Sequence, residues 1–393
     1  MFGSRGNGAR PCSIGMICLS NSWGGLEINV VRWSTWLKGR GCNIFLYAYP
    51  DSPLAGRALS ERLSVRLVRS TFRYGDLLNA RQLAAAMHSD GVDIALVHRN
   101  HDLFLTVLSK LMARPPLRLV YVQHMQLGID KKDWFHTWEY GRLDAWITPL
   151  PFLANNVASR TRLDPRKIEI IPFGIEIGRF TDRLPSKEKA REHLRLPGNV
   201  PIAGVVGRLD FKKGQHLLIE ACAKVRRDGL MLQLLLVGDA TADEGLKYTE
   251  KLESLIDEHG LSDCVHFRPH IEQIEFAYAA MDLFVLPSQS ETYGMVTIEA
   301  MASGLPIIAT GSGGTPDIVQ DGQTGLLIQP DSVDQLASAL KKLLDSPPTA
   351  RSLSEQARRV AVSRYSHDQQ CSHFERLFAR LISDSAGQLR PIG

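Results

Sequence analysis

Short, almost continuously apolar runs alternate along the chain with longer segments in which apolar positions recur every three or four residues. The short runs predict β-strands, and the longer segments predict amphipathic helices. Continuous rather than alternating apolar character is typical of parallel strands that are buried on both faces. The pattern therefore predicts an α/β protein whose parallel sheets carry helices on both faces.

The alternation starts twice, on either side of a segment at 171–200 that is rich in proline, glycine and charged residues. Such composition is typical of a linker, so we expect two Rossmann-like domains with parallel sheets facing across a cleft. The expected boundaries are a disordered leader at 1–13, a first domain at 14–178, a linker at 179–200, a second domain at 201–365 and a terminal helical segment at 366–393. Strands are predicted at 14–19, 43–47, 64–68, 94–98, 117–122, 144–148, 202–206, 231–237, 264–267, 283–286, 306–309 and 324–328, and helices at 24–39, 76–88, 103–113, 214–227, 243–259, 272–280, 295–303, 333–344, 350–362 and 367–382.

Composition excludes several protein classes. The chain has 393 residues, 44% of them hydrophobic and 22% charged, which suits two buried cores and not a disordered, collagenous or coiled-coil protein. No apolar run approaches the roughly 18 residues of a membrane-spanning helix. The polar stretch 1–13 lacks the apolar centre of a secretory signal. The six cysteines form no C-x-x-C pair, so we expect buried thiols in a reducing cytoplasm.

Charge is distributed unevenly along the chain. Residues 1–180 carry a net charge of +9 and all six tryptophans, whereas residues 181–393 carry −5. A basic, tryptophan-rich part suggests an anionic partner or a membrane surface. Drift in composition between two domains explains the same split equally well.

Two cations flank a turn that follows a predicted strand and opens a helix. Arg208 and Lys213 lie in the sequence GRLDFKKG at 207–214, where open parallel sheets bind ligands. A guanidinium and an ammonium placed in this way can clamp a diphosphate. A solvated basic loop is an equally good interpretation of this motif alone.

Two carboxylates occupy a second strand-to-helix turn, in the sequence ETYGMVTIE. Gly294 near the helix start lets a ligand approach the backbone, where the N–H groups of Tyr293, Gly294 and Met295 are typical of an anion site. Glu291 precedes the helix, and the side chain of Glu299 leans back towards its N-terminus. Both carboxylates can therefore face one ligand, for example the hydroxyls of a ribose. The alternative for Glu299 is a surface charge on the helix.

Other signals are weaker. Gly24 and Gly25 follow the first strand and would let a loop approach a phosphate or sugar, although a plain turn into the helix is the alternative. His124 ends a predicted strand and either faces the cleft or is a core histidine. The loop at 311–317 departs from G-x-G-x-x-G, so it favours a tight turn or backbone donors over nicotinamide binding. The stretch at 131–146 combines basic and aromatic residues, which suit ordinary packing, an acceptor groove or membrane contact.

Together these residues resemble the retaining glycosyltransferases of family 4, which have the GT-B fold. The resemblance covers nearly the whole chain and is densest over 171–330. The matching segments are IPFGI at 171–175, GRL at 207–209, KG at 213–214, VG at 237–238, PS at 287–288, the Glu291/Glu299 pair, EAMASGLP at 299–306, GG at 313–314 and, more weakly, Gly24-Gly25 and His124.

The resemblance implies that the second domain holds a nucleotide-sugar donor, that the first holds the acceptor, and that the last helix returns to the first domain. Phe173 stands where many members have Asn, Pro269 where many have Gly, and Asp317 where Glu is common. The implied roles are the diphosphate for Arg208 and Lys213, the ribose for Glu299, the donor sugar hydroxyls for Glu291, the phosphates for Gly24 and Gly25, and the donor sugar near its anomeric carbon for His124.

The expected reaction is transfer, with retention, of a sugar from a UDP- or GDP-linked donor to an acceptor hydroxyl in glycan, glycolipid or cell-surface polysaccharide synthesis. No Asp-x-Asp pair or other metal motif occurs in the sequence, so we expect neither a metal nor another cofactor. We expect a carbohydrate or lipid-linked acceptor, peripheral contact with anionic membrane through the first domain, a location in the cytoplasm or at the inner membrane face, and no nucleic-acid partner. The alternatives are an epimerase or phosphorylase of the same fold, a non-catalytic nucleotide-sugar-binding protein and a nicotinamide oxidoreductase.

Overall fold

The computed structural model describes residues 11–113, 117–240 and 244–388. The described residues form two compact units, one from residues up to 172 together with 368–388, the other from residues 173–367. Most of the expected leader at 1–13 lies outside the described residues. Of its final residues, Cys12 is buried and Ser13 already begins the first strand.

The first unit is built on a seven-stranded parallel sheet in the order β3-β2-β1-β4-β5-β6-β7. The central strands are buried along their whole length, which explains their continuous apolar sequence. Its strands are β1 (Ser13–Cys18), β2 (Asn43–Ala48), β3 (Ser64–Leu67), β4 (Ile94–Val97), β5 (Arg118–Val122), β6 (Ala145–Thr148) and β7 (Ile168–Ile170), and its helices before the second unit are α1 (Gly25–Gly39), α2 (Pro53–Ser60), α3 (Leu77–Ser89), α4 (Asn100–Met112), α5 (Trp134–Gly141) and α6 (Pro151–Arg160).

The second unit has a six-stranded parallel sheet in the order β10-β9-β8-β11-β12-β13. The strand order reverses between β8 and β11, and such a point opens a crevice at the carboxyl ends of the strands. Its strands are β8 (Ile202–Val206), β9 (Gln233–Val237), β10 (Val265–Arg268), β11 (Leu283–Leu286), β12 (Ile307–Thr310) and β13 (Leu326–Ile328), and its helices are α7 (Ile177–Phe180), α8 (Lys187–His193), α9 (Gln215–Arg227), α10 (Glu244–Glu258), α11 (Glu275–Ala280), α12 (Met295–Ala302), α13 (Thr315–Ile318), α14 (Val333–Asp345) and α15 (Pro347–Arg364).

The expected linker at 179–200 is instead folded onto the second unit. The guanidinium of Arg191 in α8 is buried and donates to the carboxylate of Asp282 at 2.6 Å and to the carbonyl of Ala280 at 3.0 Å. The boundary lies at Pro172 rather than at residue 178. The charged residues of this segment therefore belong to a helix, α8, that is joined to the second unit by the ion pair of Arg191 with Asp282.

The last helix, α16 (His367–Gln388), packs on α1 within the first unit. The ring of Phe374 lies 5.7 Å from the ring of Trp33, and both side chains are fully buried. Arg40, just after α1, forms a two-pronged ion pair with Glu375 at 2.7 and 3.0 Å. The end of the chain is thus part of the core formed by its beginning.

Candidate active site

The turn between β8 and α9 is fixed by a glycine that packs against another loop. Gly214 has φ +71°, and a Cβ added there would lie 2.1 Å from the carbonyl oxygen of Pro287. No other residue fits this position without moving the backbone. The side-chain amide of Gln215 donates to the Arg208 carbonyl at 2.9 Å, which closes the turn. The loop after β8 therefore lies directly against the loop after β11.

This contact brings the two charged motifs together. The ammonium of Lys213 lies 2.5 Å from the Glu291 carboxylate, whose same oxygen accepts a hydrogen bond from Ser288 at 3.0 Å. The side chains are 27% and 12% exposed, so solvent screens the pair only partly. In this structure Lys213 and Glu291 contact each other, so an arriving anion must compete with the carboxylate for the ammonium.

Arg208 lies at the mouth of a cavity of about 270 Å³ at the carboxyl ends of β8 and β9. Its side chain is exposed, and the structure shows no ion-pair partner for it among residues 11–113, 117–240 and 244–388. The carboxylate of Asp239 accepts the backbone N–H of His270 at 3.1 Å, which fixes the opposite rim. The remaining lining residues are Val206, Gly207, Val237, Gly238, Ala240 and Ile274.

Glu299 is held by a tyrosine from the neighbouring helix α11. The hydroxyl of Tyr278 donates to the Glu299 carboxylate at 2.8 Å and also lies 3.2 Å from the carbonyl of Val296. Tyr278 is fully buried, and burial together with the Glu299 charge raises its pKa well above the ordinary value. The phenol therefore stays protonated and fixes one carboxylate oxygen of Glu299. Tyr278 was not among the predicted site residues, since its only signal in the sequence is a hydroxyl within the apolar stretch FAYAA at 276–280.

At the start of α12, the backbone N–H groups can face a ligand, whereas the side chain of Tyr293 has a structural role. Gly294 precedes the helix with φ +77°, and Met295 is its first residue. The first N–H groups of a helix have no partner within it, so the predicted anion site is geometrically available. Tyr293, in contrast, is buried and donates its hydroxyl to the carbonyl of Phe173 at 2.6 Å. Its side chain therefore secures the chain entering this unit, and only its backbone can face a ligand.

The glycine-rich loop after β12 supports the backbone of Glu291. Gly313 has φ +61°, and a Cβ added there would lie 2.3 Å from the Glu291 carbonyl oxygen. That oxygen accepts the N–H of Gly314 at 2.8 Å. Of the two interpretations of 311–317, the geometry favours the tight turn, because its glycines are required by protein contacts.

A buried tyrosine and histidine stabilise the start of α9. The Tyr248 hydroxyl accepts the backbone N–H of His216 at 3.1 Å and lies 2.9 Å from Nδ1 of the same residue. The His216 ring stacks on Phe211 with a centroid distance of 4.6 Å, and Phe211 lies two residues before Lys213. Burial, with a smaller effect of Lys251, lowers the pKa of His216 to about 4. This neutral cluster, which the sequence analysis did not find, holds the turn that carries Lys213.

In the first unit, the paired glycines leave open space at the start of α1. Gly24 has extended backbone with φ −164°, and a Cβ added at Gly25 would meet nothing within 4 Å. Neither backbone conformation nor packing among the described residues therefore requires glycine at residue 25. The absence of a side chain at this point leaves the backbone accessible from outside.

His124 belongs to a cluster of rings at the ends of β4 and β5. Its ring stacks on Trp33 at 5.4 Å, and its Nε2 lies 3.2 Å from Nδ1 of His98. Burial lowers the pKa of His124 to about 3 and that of His98 well below its ordinary value. Both rings are therefore neutral at physiological pH. Of the predicted site residues, His124, Gly24 and Gly25 lie in the first unit, and the other seven lie in the second.

All six cysteines are buried free thiols. Within the described ranges, no helix combines the length and the apolar character needed to cross a lipid bilayer.

Two family models match the chain in succession. Residues 23–179 match the model described as Glycosyltransferase Family 4, and residues 186–360 match the one described as Glycosyl transferases group 1. Together they extend over most of both units.

Similar proteins include two named D-inositol 3-phosphate glycosyltransferase. The protein from Mycolicibacterium smegmatis is 32% identical over 265 residues, which are 66% of this chain and 56% of the relative. The protein from Mycobacterium marinum is 30% identical over 307 residues, which are 76% of this chain and 61% of the relative. The chain thus spans little more than half the length of these relatives.

Solved structures of similar fold cover nearly the whole chain. A glycosyltransferase from Rickettsia africae matches with a TM-score of 0.86 at 19% identity, covering 95% of this chain and 99% of the other. The Anabaena protein Alr3699/HepE in complex with UDP and glucose matches with a TM-score of 0.78 at 21% identity, covering 93% and 99%. At these identities the likeness concerns the fold.

Proposed function

Because the chain belongs to the group 1 and family 4 glycosyltransferases and has the GT-B fold, we propose that it transfers a sugar from a nucleotide-sugar to an acceptor hydroxyl. The observation that carries this proposal is the cluster of Arg208, Lys213 and Glu291 at the carboxyl edge of the second sheet. It combines cations suited to a diphosphate with a carboxylate suited to hydroxyl groups. A related fold, that of HepE, has been solved with UDP and glucose, which supports a nucleotide-sugar as the donor.

The proposed leaving group is the nucleoside diphosphate. Arg208, Lys213 and the start of α12 at Gly294 stabilise the charge that develops as the bond between the anomeric carbon and phosphate oxygen breaks. When the diphosphate draws Lys213 away, Glu291 is released from its ion pair and accepts the donor sugar hydroxyls. Glu299, fixed by Tyr278, accepts the ribose hydroxyls.

The proposed stereochemistry is retention. The acceptor hydroxyl attacks the anomeric carbon on the face from which the nucleotide departs, through a transition state resembling an oxocarbenium ion. The new carbon–oxygen bond forms as the old one breaks, and the departing phosphate takes the acceptor's proton. The two cations of Arg208 and Lys213 supply the charge stabilisation, so the proposal needs no divalent metal.

The acceptor side is proposed from the chemistry of the first unit. The net charge of +9 over residues 1–180 suits a phosphorylated or lipid-linked carbohydrate acceptor and peripheral contact with anionic membrane. The names of the inositol 3-phosphate glycosyltransferases support a phosphorylated polyol within this class. Gly24 and Gly25 leave the backbone at the start of α1 open to a phosphate, and His124 is proposed to contact the donor sugar through its ring cluster. We place the reaction in the cytoplasm, whose reducing conditions match the six free thiols.

The test is hydrolysis and transfer with a panel of UDP- and GDP-sugars, with a chelator and with added Mg²⁺ or Mn²⁺. We expect slow donor hydrolysis that the chelator leaves intact, an NMR spectrum of the product showing the donor's anomeric configuration, and loss of turnover in Lys213→Met. Lys341→Met is the matched control, because Lys341 forms a comparable ion pair with Asp228 at 2.7 Å in the same unit. Binding without turnover contradicts the transferase, and an inverted product or a metal requirement contradicts the mechanism.

A further inference from the structure

Large apolar side chains are exposed on one surface of the first unit. They come from the loop before α3, from the start of α3 and from the start of α5. Single exposed apolar residues are ordinary, but a contiguous group marks an interaction surface. We call this group the aromatic patch; it consists of Phe72 (65% exposed), Tyr74 (47%), Leu77 (58%), Leu78 (69%) and Trp134 (80%).

Ring contacts make the aromatic patch continuous. The ring of Tyr74 lies 5.4 Å from that of Phe104 in α4 and 5.2 Å from that of Phe135 in α5. Phe135 in turn lies 5.9 Å from Trp134. The loop before α3 and the start of α5 are therefore joined into one surface through edge-to-face contacts between aromatic rings.

The loop that carries Phe72 and Tyr74 is held in place by a buried carboxylate. Asp76 accepts the backbone N–H groups of Thr71 at 2.8 Å and of Phe72 at 3.3 Å, and it caps α3 by accepting from Asn79 at 3.3 Å. Burial alone would raise the pKa of Asp76, but the side-chain amide of Asn79, which donates at 2.8 Å, and these backbone N–H groups lower it below its ordinary value. The charged carboxylate thus fixes a backbone conformation that keeps the apolar side chains facing outwards.

The exposed charge on the Phe72 and Tyr74 side of the aromatic patch is basic, whereas Trp134 follows the oppositely charged and exposed Lys132 and Asp133. The segment 62–81 contains five arginines, and its single acidic residue is the buried Asp76. Arg69, Arg73 and Arg81 are exposed, and the guanidinium of Arg73 lies 5.2 Å from the centre of the Tyr74 ring. Arginines beside exposed aromatic rings are typical of surfaces that lie at the boundary of anionic headgroups and acyl chains.

We propose that the aromatic patch docks the first unit onto a bilayer surface rich in anionic lipid. Phe72, Leu78 and Trp134 enter the boundary between headgroups and acyl chains, while Arg69 and Arg73 contact the headgroup phosphates. The exposed charge beside Phe72 and Tyr74 comes from arginines, which complements anionic headgroups and favours a bilayer as the partner of this surface. This docking deepens the proposed function by bringing the enzyme to a lipid-linked acceptor.

The test is co-sedimentation of the full chain with vesicles of phosphatidylcholine alone or with phosphatidylglycerol. We expect binding to the anionic vesicles that weakens as salt rises. Phe72→Ser with Trp134→Ser should lower the bound fraction by roughly tenfold or more, because two apolar anchors are lost. Met231→Ser with Leu246→Ser is the matched control, since these side chains of the second unit are 58% and 63% exposed, and it should bind as the wild type does.

Two charge-reversal double variants test the electrostatic part of the docking separately from the apolar part. Arg69→Glu with Arg73→Glu should remove the preference for anionic vesicles, whereas Arg227→Glu with Arg351→Glu changes net charge equally on the second unit and should keep it. Equal losses in both double variants overturn the assignment to this surface.

Three further outcomes also overturn the docking. They are no vesicle binding at low salt, unchanged binding by the serine double variant, and a wild-type self-association in analytical ultracentrifugation that the serine variant abolishes without affecting vesicle binding. Circular dichroism of the variants checks that they are folded, and the single variant Trp134→Ser repeats the binding measurement with a smaller perturbation of the fold. Donor hydrolysis by the wild type without vesicles tests the proposed function alone, so either proposal can fail while the other stands.

Discussion

The hydroxyl of Tyr278 offers a direct test of how Glu299 is oriented. Tyr278→Phe removes one oxygen from a fully buried side chain and leaves its ring contacts, including the ring of Phe180 at 5.7 Å. The lost hydrogen bond to the Glu299 carboxylate measures 2.8 Å, and the second contact, to the Val296 carbonyl, is longer at 3.2 Å. The principal change is therefore in the restraint on Glu299.

A hydrogen bond to a charged group contributes about 1.5–3 kcal/mol. Since about 1.4 kcal/mol corresponds to a tenfold change in an equilibrium constant, this contribution sets an upper limit of roughly 10–150-fold on the weakening of nucleotide binding, which is reached only if the bond matters in the bound protein and not in the free one. Glu299 can recover part of the loss by finding another hydrogen-bond donor. We therefore expect a rise in Kd of about tenfold for Tyr278→Phe, and a larger rise for Glu299→Ala.

The measurement is isothermal titration calorimetry with whichever of UDP or GDP binds. Because Tyr278 is proposed to act through Glu299, the double variant should have the Kd of Glu299→Ala alone. Tyr365→Phe is the control, since Tyr365 is a fully buried tyrosine in the same unit whose hydroxyl lies 3.5 Å from the Asp317 carbonyl. Additive effects of the two substitutions, or an unchanged Kd in Tyr278→Phe, would refute the reasoning.

Three other outcomes follow from the site and its surroundings. Arg208→Ala should lower kcat by about 100-fold or more because it removes charge stabilisation in the transition state, whereas Glu299→Ala should act mainly on donor KM; the reverse pattern in steady-state kinetics contradicts both roles. Tyr248→Phe leaves the buried N–H of His216 without its acceptor and should lower the free energy of unfolding in urea by about 1–3 kcal/mol, so an unchanged midpoint would rule out the capping role. The pKa of His124 is about 3 in the folded protein and about 6.5 in the unfolded chain, so between these pH values the unfolded chain binds one more proton. The free energy of unfolding should therefore fall as pH drops from about 6.5 towards 3, by up to about 1.4 kcal/mol per pH unit. Urea unfolding of His124→Asn should show a shallower fall.

The strands that the sequence predicts best are those buried on both faces. The bounds of β8 and β11 agree with the prediction residue for residue, because each is a continuous apolar run that proline, glycine or aspartate delimits at both ends. Strand β7 was not predicted, since it lies at the edge of its sheet and none of its three residues is fully buried. Helix α6 was missed because its sequence, PFLANNVASR, buries only Leu153 and Val157.

The candidate site shows a similar division. The charged residues of the turns after β8 and β11 could be predicted, because parallel strands bring their carboxyl ends to one edge and the motifs stand directly after the strands. The residues that hold them could not. Tyr278 reaches Glu299 from another helix, 21 residues earlier in the chain, and Tyr248 reaches His216 across 32 residues. These residues become neighbours only through the packing of the helices, and the local sequence around each of them does not indicate that packing.

The position of α16 has a consequence for the order in which the protein matures on the ribosome. Trp33 and Arg40 are synthesised early, yet their partners Phe374 and Glu375 lie near the other end of the chain. Domains commonly fold as they emerge, starting from the N-terminus. The apolar face of α1 that Phe374 covers therefore stays exposed while the whole second unit is translated. The unit whose strands are translated first is therefore completed last, because α16 follows the whole second unit in the sequence.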